Sequence, residues 1–321
     1  MTINFFMIGG VIRGGNYRAD RRASQAARKT FRWLWTIGFA ALAANVRAQE
    51  WVEPEMIAIP AGEFLFGSSK EERSAFLAPP DEPEQQKAAL PGYFIGKYEI
   101  TNEEFACFIN AGGYEKPEYW PEEGWNFRRQ MNWTQPRSWT DRDYNGQHQE
   151  RYPVCSISWF EAQAYCRWLS IKTGKPYRLP TGQEWEKAAR GSDGRIFPWG
   201  NEWKEKACNW LGDFNKDYQP HSESDGFART SPVGYYEEGV SPYGAYDMAG
   251  NVMEWCADAL EQKAYDGSIY RMFRGGSFLS GNPRLLRCAW RGGTQPQIGY
   301  VYWGIMGFRA AMDAPKVQSS E

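Results

Sequence analysis

Histidine is nearly absent from this chain: 321 residues contain two, His148 and His221. That count excludes any metal centre built on three imidazoles. The two are also far apart, without the spacing that a two-histidine, one-carboxylate iron site would need. Each sits among polar residues, Gly-Gln-His148-Gln-Glu and Gln-Pro-His221-Ser-Glu, and reads as a solvated loop position. No Ser-His-Asp set is evident. No CxxC pair occurs, which argues against a structural zinc site. Motifs for flavin, nicotinamide or haem are missing, as are internal repeats, heptads and low-complexity tracts. No apolar run is long enough for a comfortable membrane span.

A dense basic patch is missing as well. Eight of the 37 Lys/Arg but only one of the 39 Asp/Glu fall within the first 48 residues, so the remainder carries a formal charge of about −9. Such a surface speaks against nucleic acid, where neutralising phosphates dominates affinity. The basic stretch ending at Arg28, Lys29 and Arg32 is followed by the apolar run Trp33–Val46 and by Val46-Arg47-Ala48. Basic region, short apolar core and small-residue site together predict a signal peptide over residues 1–48, and hence a periplasmic or secreted protein. The domain then occupies residues 49–321, with its core at about 54–312. All six cysteines (Cys107, Cys155, Cys166, Cys208, Cys256 and Cys288) lie in it. Outside the cytoplasm an even count permits disulfides, though spacing does not choose a pairing.

What the chain does have is aromatic surface, 16 Trp, 18 Tyr and 18 Phe, and turn-forming residues. Met56–Phe66 reads as strand, turn at Pro60-Ala-Gly62, and strand. An acidic, proline-bearing loop follows from about Ser68 to Pro91, and a strand resumes at Tyr93–Ile100. Thr101-Asn-Glu-Glu104, Ser158-Trp-Phe-Glu161 and Thr181-Gly-Gln-Glu184 match the capping box, in which hydroxyl and glutamate satisfy orphan amides reciprocally. These predict three helices. The first ends before Gly112-Gly113. The second buries Trp159, Ala162, Tyr165, Cys166 and Leu169 and stops at Gly174. The third runs to about Arg190. Beyond Gly191 only short strand candidates appear, such as Arg271–Arg274 and Gly307–Ala311. The reading is an α+β domain with low regular content.

Several segments form a set: Met56-Ile-Ala-Ile-Pro-Ala-Gly-Glu-Phe64, Tyr98-Glu-Ile-Thr-Asn-Glu-Glu-Phe105, Arg178-Leu-Pro-Thr-Gly-Gln-Glu-Trp-Glu-Lys-Ala-Ala-Arg-Gly191, Phe197-Pro-Trp-Gly-Asn201, Tyr246-Asp-Met-Ala-Gly-Asn-Val-Met-Glu-Trp255, Arg274-Gly-Gly-Ser277 and Gly307-Phe-Arg309. In this order they resemble the formylglycine-generating enzyme, or sulfatase-modifying-factor, family over residues 54–312. The resemblance implies a single domain with a C-type-lectin-like fold and two structural calcium sites. It assigns Asn209 and Asp225 with backbone oxygens of Trp210 and Phe227 to one site. Asp247 and Glu254 with backbone oxygens of Gly250 and Val252 are assigned to the other. Such mixtures of carboxylate, amide and carbonyl oxygens suit a hard cation.

The family's copper chemistry is not expected. The resemblance puts two copper-binding cysteines closely after the Gly-Gly-Ser motif, whereas here Ser280 stands at the first and the second has no counterpart. A hydroxyl is a poor copper(I) ligand. Ser277, Ser280, Arg287, Arg291 and Trp255 are implied to line or support the family's cleft, and the guanidinium groups would suit a carboxylate. Tyr300-Val-Tyr-Trp303 offers a stacking wall or core packing. The members of closest type are exported, lack the copper cysteines and mature the chromophore of the siderophore pyoverdine. The expected function is therefore oxidative tailoring of a secreted, small-molecule or peptide-like metabolite, with calcium as the structural ion and the redox cofactor open. The competing function is a non-catalytic lectin-like binding or cell-surface assembly module. Oligomeric state is not readable.

Overall fold

The computed structural model describes residues 52–141, 150–212, 227, 229–263, 267, 269–297 and 304–315. The described residues belong to one compact unit, Trp51–Glu321. The expected leader, both histidines, Asp225 and the aromatic run 300–303 lie outside the described residues. No described helix is long and apolar enough to cross a membrane.

Among the described residues three small sheets carry the fold. The first has the order β1-β4-β10-β5, where β1 is Met56–Ile59, β4 Tyr93–Gly96, β5 Tyr177–Arg178 and β10 Ala311–Asp313. Strand β4 lies between β1 and β10 and pairs antiparallel with both, so strands from near the two ends of the domain share one sheet. The second is a ribbon of β2 (Gly62–Phe66) and β3 (Gln86–Leu90). The third has the order β8-β7-β6-β9, from β6 (Met253–Lys263), β7 (Ile269–Arg274), β8 (Gly292–Thr294) and the parallel edge β9 (Met306–Gly307).

The helices are α1 (Lys70–Ala75), α2 (Asn102–Asn110), α3 (Glu122–Gln130), α4 (Trp159–Thr173) and α5 (Gly182–Arg190). All three expected capping boxes form: Thr101, Ser158 and Thr181 each accept from the amide of a glutamate three residues on, and that glutamate accepts from the cap amide. Gly174 ends α4 in the left-handed region at φ 73°, which costs glycine no Cβ clash.

Met56–Phe66 gives the two expected strands, and they do not pair with one another. Residues 60–62 swing the chain away, so β1 enters the first sheet and β2 pairs with β3. The supposed loop 68–91 contains α1 and β3. Its helix is capped by Ser69, whose hydroxyl accepts from Glu72 N at 3.1 Å. Helix α4 buries Phe160, Ala164 and Trp168 besides the five expected positions, so it is packed on more than one face.

One core joins α2, α4 and the end of the chain: Phe105 stacks on Tyr165 at 5.5 Å and meets Phe308 edge-on. A second packs α5 through Trp185, Ala188 and Ala189 against Ile59, Tyr93, Ile95 and Cys256. Burial of this many aromatic rings supplies the main stabilisation of a domain with little regular structure.

Candidate functional site

The loop from Asp247 to Asn251 is wound tightly, with φ of 56° at Asp247, 85° at Gly250 and 55° at Asn251. Glycine is required at 250, because a Cβ there would stand 2.1 Å from the backbone oxygen of Asn209. Asn251 N donates to that same oxygen at 3.0 Å. The two segments expected to bind calcium therefore adjoin.

Asn209 Oδ1 is buried without a hydrogen-bond partner, while its Nδ2 donates to Arg229 O at 2.7 Å. An amide oxygen left bare in this way suits a hard cation. At the second segment Asp247 Oδ2 accepts from Gly234 N at 2.7 Å, and burial pushes the Asp247 carboxyl up to about 6. Glu254 is already engaged, because Arg309 and the Trp185 indole donate to its two oxygens. Sequence reasoning did not name Glu99, from Tyr98-Glu-Ile-Thr. Glu99 is 1% exposed, its carboxylate oxygens meet no group other than the neighbouring Asp247 carboxyl, and burial followed by the nearness of Asp247 holds it well above the usual range. Two buried carboxyls with one arginine already matched to a third carboxylate leave a deficit of positive charge. Glu99 and Asp247 fit a hard cation, with Glu254 as the ion-pair support behind them. Among the described residues no group of three or more His, Cys, Asp or Glu is placed to hold a metal unaided, so amide and backbone oxygens would complete either set.

The expected cleft residues separate into supports and one lining residue. Trp255 is fully buried and donates to Ile157 O at 2.7 Å. Ser277 and Ser280 brace one another: Ser280 Oγ accepts from Ser277 N at 3.0 Å, and Ser280 N donates to Ser277 O at 2.8 Å. Both are buried. Arg287, fully buried, donates to Glu72 Oε1 at 2.8 Å and to Glu82 Oε2 at 2.9 Å. The pairing continues through Glu72 to Arg190, through Arg190 to Glu186, and through Glu186 to Arg274. Three cations and three carboxylates thus pin the 68–85 excursion to α5 and β7.

Arg291 does line a cleft. It opens where the start of α5 meets β6, β7 and the β2-β3 ribbon, and has a volume of about 710 Å³, within the range of small-molecule sites. Arg274 and Arg291 supply guanidinium groups, Asp81 and Asp258 supply carboxylates, and Leu90, Leu260 and Met272 give apolar surface. Asp258 Oδ2 accepts from Gly182 N, which fixes the first turn of α5. Burial and then the neighbouring charge of Arg274 lower the Arg291 guanidinium below its ordinary value.

The disulfide expectation is corrected. All six cysteines are free and buried. Burial pushes the Cys166 and Cys288 thiols up to about 12 and holds Cys155 and Cys256 higher than an ordinary thiol. They pack as small apolar groups.

Comparison with known proteins gives one consistent result. Residues 42–314 match the sulfatase-modifying factor enzyme 1-like domain. Hercynine oxygenase of Mycobacterium tuberculosis is 32% identical over 244 residues, covering 67% of this chain and 52% of that protein. The chain therefore spans about half the length of that relative. Formylglycine-generating enzyme of Mus musculus is 29% identical over 306 residues, 81% of this chain and 75% of the mouse protein. Among solved structures, PvdO from Pseudomonas aeruginosa superposes with a TM-score of 0.58 at 25% identity, covering 81% of this chain and 95% of PvdO.

Proposed function

Because the chain belongs to the sulfatase-modifying factor enzyme 1-like family, we propose that it is an exported oxidative tailoring factor that matures a secreted peptide-like metabolite of the pyoverdine siderophore type. The observation that carries this reading is the likeness to PvdO over 95% of that chain. By contrast, 48% of the mycobacterial hercynine oxygenase lies beyond the match. In this proposal the substrate occupies the cleft beside Arg291. It loses two protons and two electrons to dioxygen, which leaves as hydrogen peroxide, and a ring of the substrate becomes aromatic.

Two structural calcium ions complete the proposal, one at Asn209 and one at Glu99 and Asp247. The bare oxygens at both positions support it. Calcium there neutralises buried carboxylates and fixes the irregular loops; it takes no part in the redox step. Copper is not expected, since Ser277 and Ser280 are occupied in holding their own loop. Deleting the gene from its source organism and analysing secreted metabolites by mass tests the function. A siderophore precursor two hydrogens heavier than the mature compound is expected to accumulate. An unchanged profile contradicts it.

A binding module without catalysis is the second reading. It is favoured by the burial of Trp255, Ser277, Ser280 and Arg287, which makes four of the five implied cleft residues into props.

A further inference from the structure

Charges lining a cleft are informative when the protein does not neutralise them itself. Among the described residues, Arg291 pairs with no carboxylate: its Nη2 donates to the backbone oxygen of Asp81, and its Nε–H has no acceptor. Asp258 accepts a backbone amide, and no lysine or arginine pairs with its carboxylate among the described residues. The Asp81 side chain is likewise without an ion-pair partner there, and Asp81 is exposed. The fully buried arginines among the described residues, by contrast, all pair. Arg190, Arg274, Arg287 and Arg309 are each matched to a glutamate. The cleft is thus lined by one cation and two carboxylates that form no ion pair among the described residues, Asp81 lying close enough to Arg291 to act on its charge, and by the apolar side chains of Leu90, Leu260 and Met272.

We propose that this cleft binds a zwitterion of the amino-acid type, as a free amino acid or as the amino-acid end of a larger metabolite. The carboxylate meets Arg291, the ammonium meets Asp258 and Asp81, and an apolar or aromatic side chain lies on Leu90, Leu260 and Met272. Guanidinium offers a carboxylate parallel donors. A half-buried setting makes each charge pair stronger than it would be in water. Burial disfavours the bare Arg291 cation, and Arg274 adds like-charge repulsion; an incoming carboxylate relieves both. A purely anionic ligand would meet Asp81 and Asp258 with like charge, and a purely cationic one would meet Arg291. This inference rests on the reading of the cleft as the substrate site, but its test needs no turnover, so it stands or falls apart from the redox step.

Isothermal titration of the purified full chain with phenylalanine, phenylalanine amide, N-acetylphenylalanine and inorganic phosphate tests it. The zwitterion is expected to bind, and loss of either charge to weaken binding by about tenfold or more, the worth of one charge-assisted contact. Arg291→Gln is expected to bind phenylalanine and its amide equally. Leu90→Trp, which fills the cleft from another wall, is expected to abolish binding of both. Equal affinity of the wild type for the acid and its amide would overturn the proposal. So would binding of phosphate alone, or no binding by any probe at millimolar concentration.

Discussion

Arg309 holds Glu254 through both carboxylate oxygens, at 2.6 Å from Nε to Oε2 and 2.7 Å from Nη2 to Oε1, with both side chains fully buried. The same guanidinium donates to backbone oxygens of Gly96 and Tyr246. One ion pair therefore ties the Gly-Phe-Arg309 segment to the start of β6, to the end of β4 and to the loop that carries Asp247.

Removing one partner of a buried pair leaves the other charged and unmatched, which costs about 3–5 kcal/mol. Glu254→Gln is expected to lower unfolding stability by that amount, measured by chemical denaturation. Lys87 and Glu63, paired at 3.3 Å with side chains 74% and 66% exposed, provide the contrast. Glu63→Gln should leave the denaturation midpoint unchanged, since solvent screens such a pair.

The proposed calcium sites at Glu99 and Asn209 predict that stability depends on calcium. Chelation is expected to lower the melting temperature, and added calcium to restore it. Glu99→Gln and Asn209→Ala should each reduce the calcium-induced rise, and the double variant should abolish it. Equal melting temperatures of the wild type in chelator and in calcium would remove the structural role of the ion.

Burial pushes the capping-box carboxyls Glu104 and Glu161 up to about 7. In the unfolded chain they titrate near the ordinary glutamate value. Between about pH 4.3 and 7 the folded state therefore binds more protons, and stability falls as pH rises, by up to about 1.4 kcal/mol per pH unit for each group. Below that window both states are protonated and the dependence vanishes. Glu161→Gln, whose one amide oxygen can take over the bond from the Ser158 amide while its NH2 faces the Tyr114 hydroxyl oxygen, is expected to reduce the slope between pH 5 and 7 and leave the share of Glu104. Denaturation midpoints across that range check it.

Six free buried thiols predict that the native protein reacts slowly with a thiol reagent and that all six react once denatured. Reductant should leave the melting temperature unchanged. Fewer than six reactive thiols in denaturant without reductant would contradict the free state.

Much of the fold was readable because local rules governed it. The capping boxes at Thr101, Ser158 and Thr181 mark helix starts, and each formed. Ser69-Lys-Glu-Glu72 carries the same Ser-x-x-Glu signal, yet prolines and acids around it favour a loop reading. What stabilises α1 is long-range: Glu72 is buried against Arg190 and Arg287, more than a hundred residues away. Strand pairing was hidden for a similar reason. Nothing between β1 and β2 says that their partners are β4 and β3.

The site was legible in composition and not in role. Asn209 keeps a bare amide oxygen and Asp247 is buried beside Glu99, whereas Glu254 pairs with Arg309, 55 residues on. Glu99 could have been suspected only as an acid in an otherwise apolar strand end, Tyr98-Glu-Ile100. Arg287 and Arg291 look alike in sequence, four residues apart, but one is sealed by Glu72 and Glu82 while the other borders the cleft.

The most direct test is to incubate the purified protein, in calcium and air, with the reduced siderophore precursor and follow its mass. Loss of two hydrogens with release of one hydrogen peroxide per turnover, unchanged by a copper chelator, is the predicted result. An unaltered precursor together with copper-dependent aldehyde formation on a sulfatase cysteine peptide would contradict it.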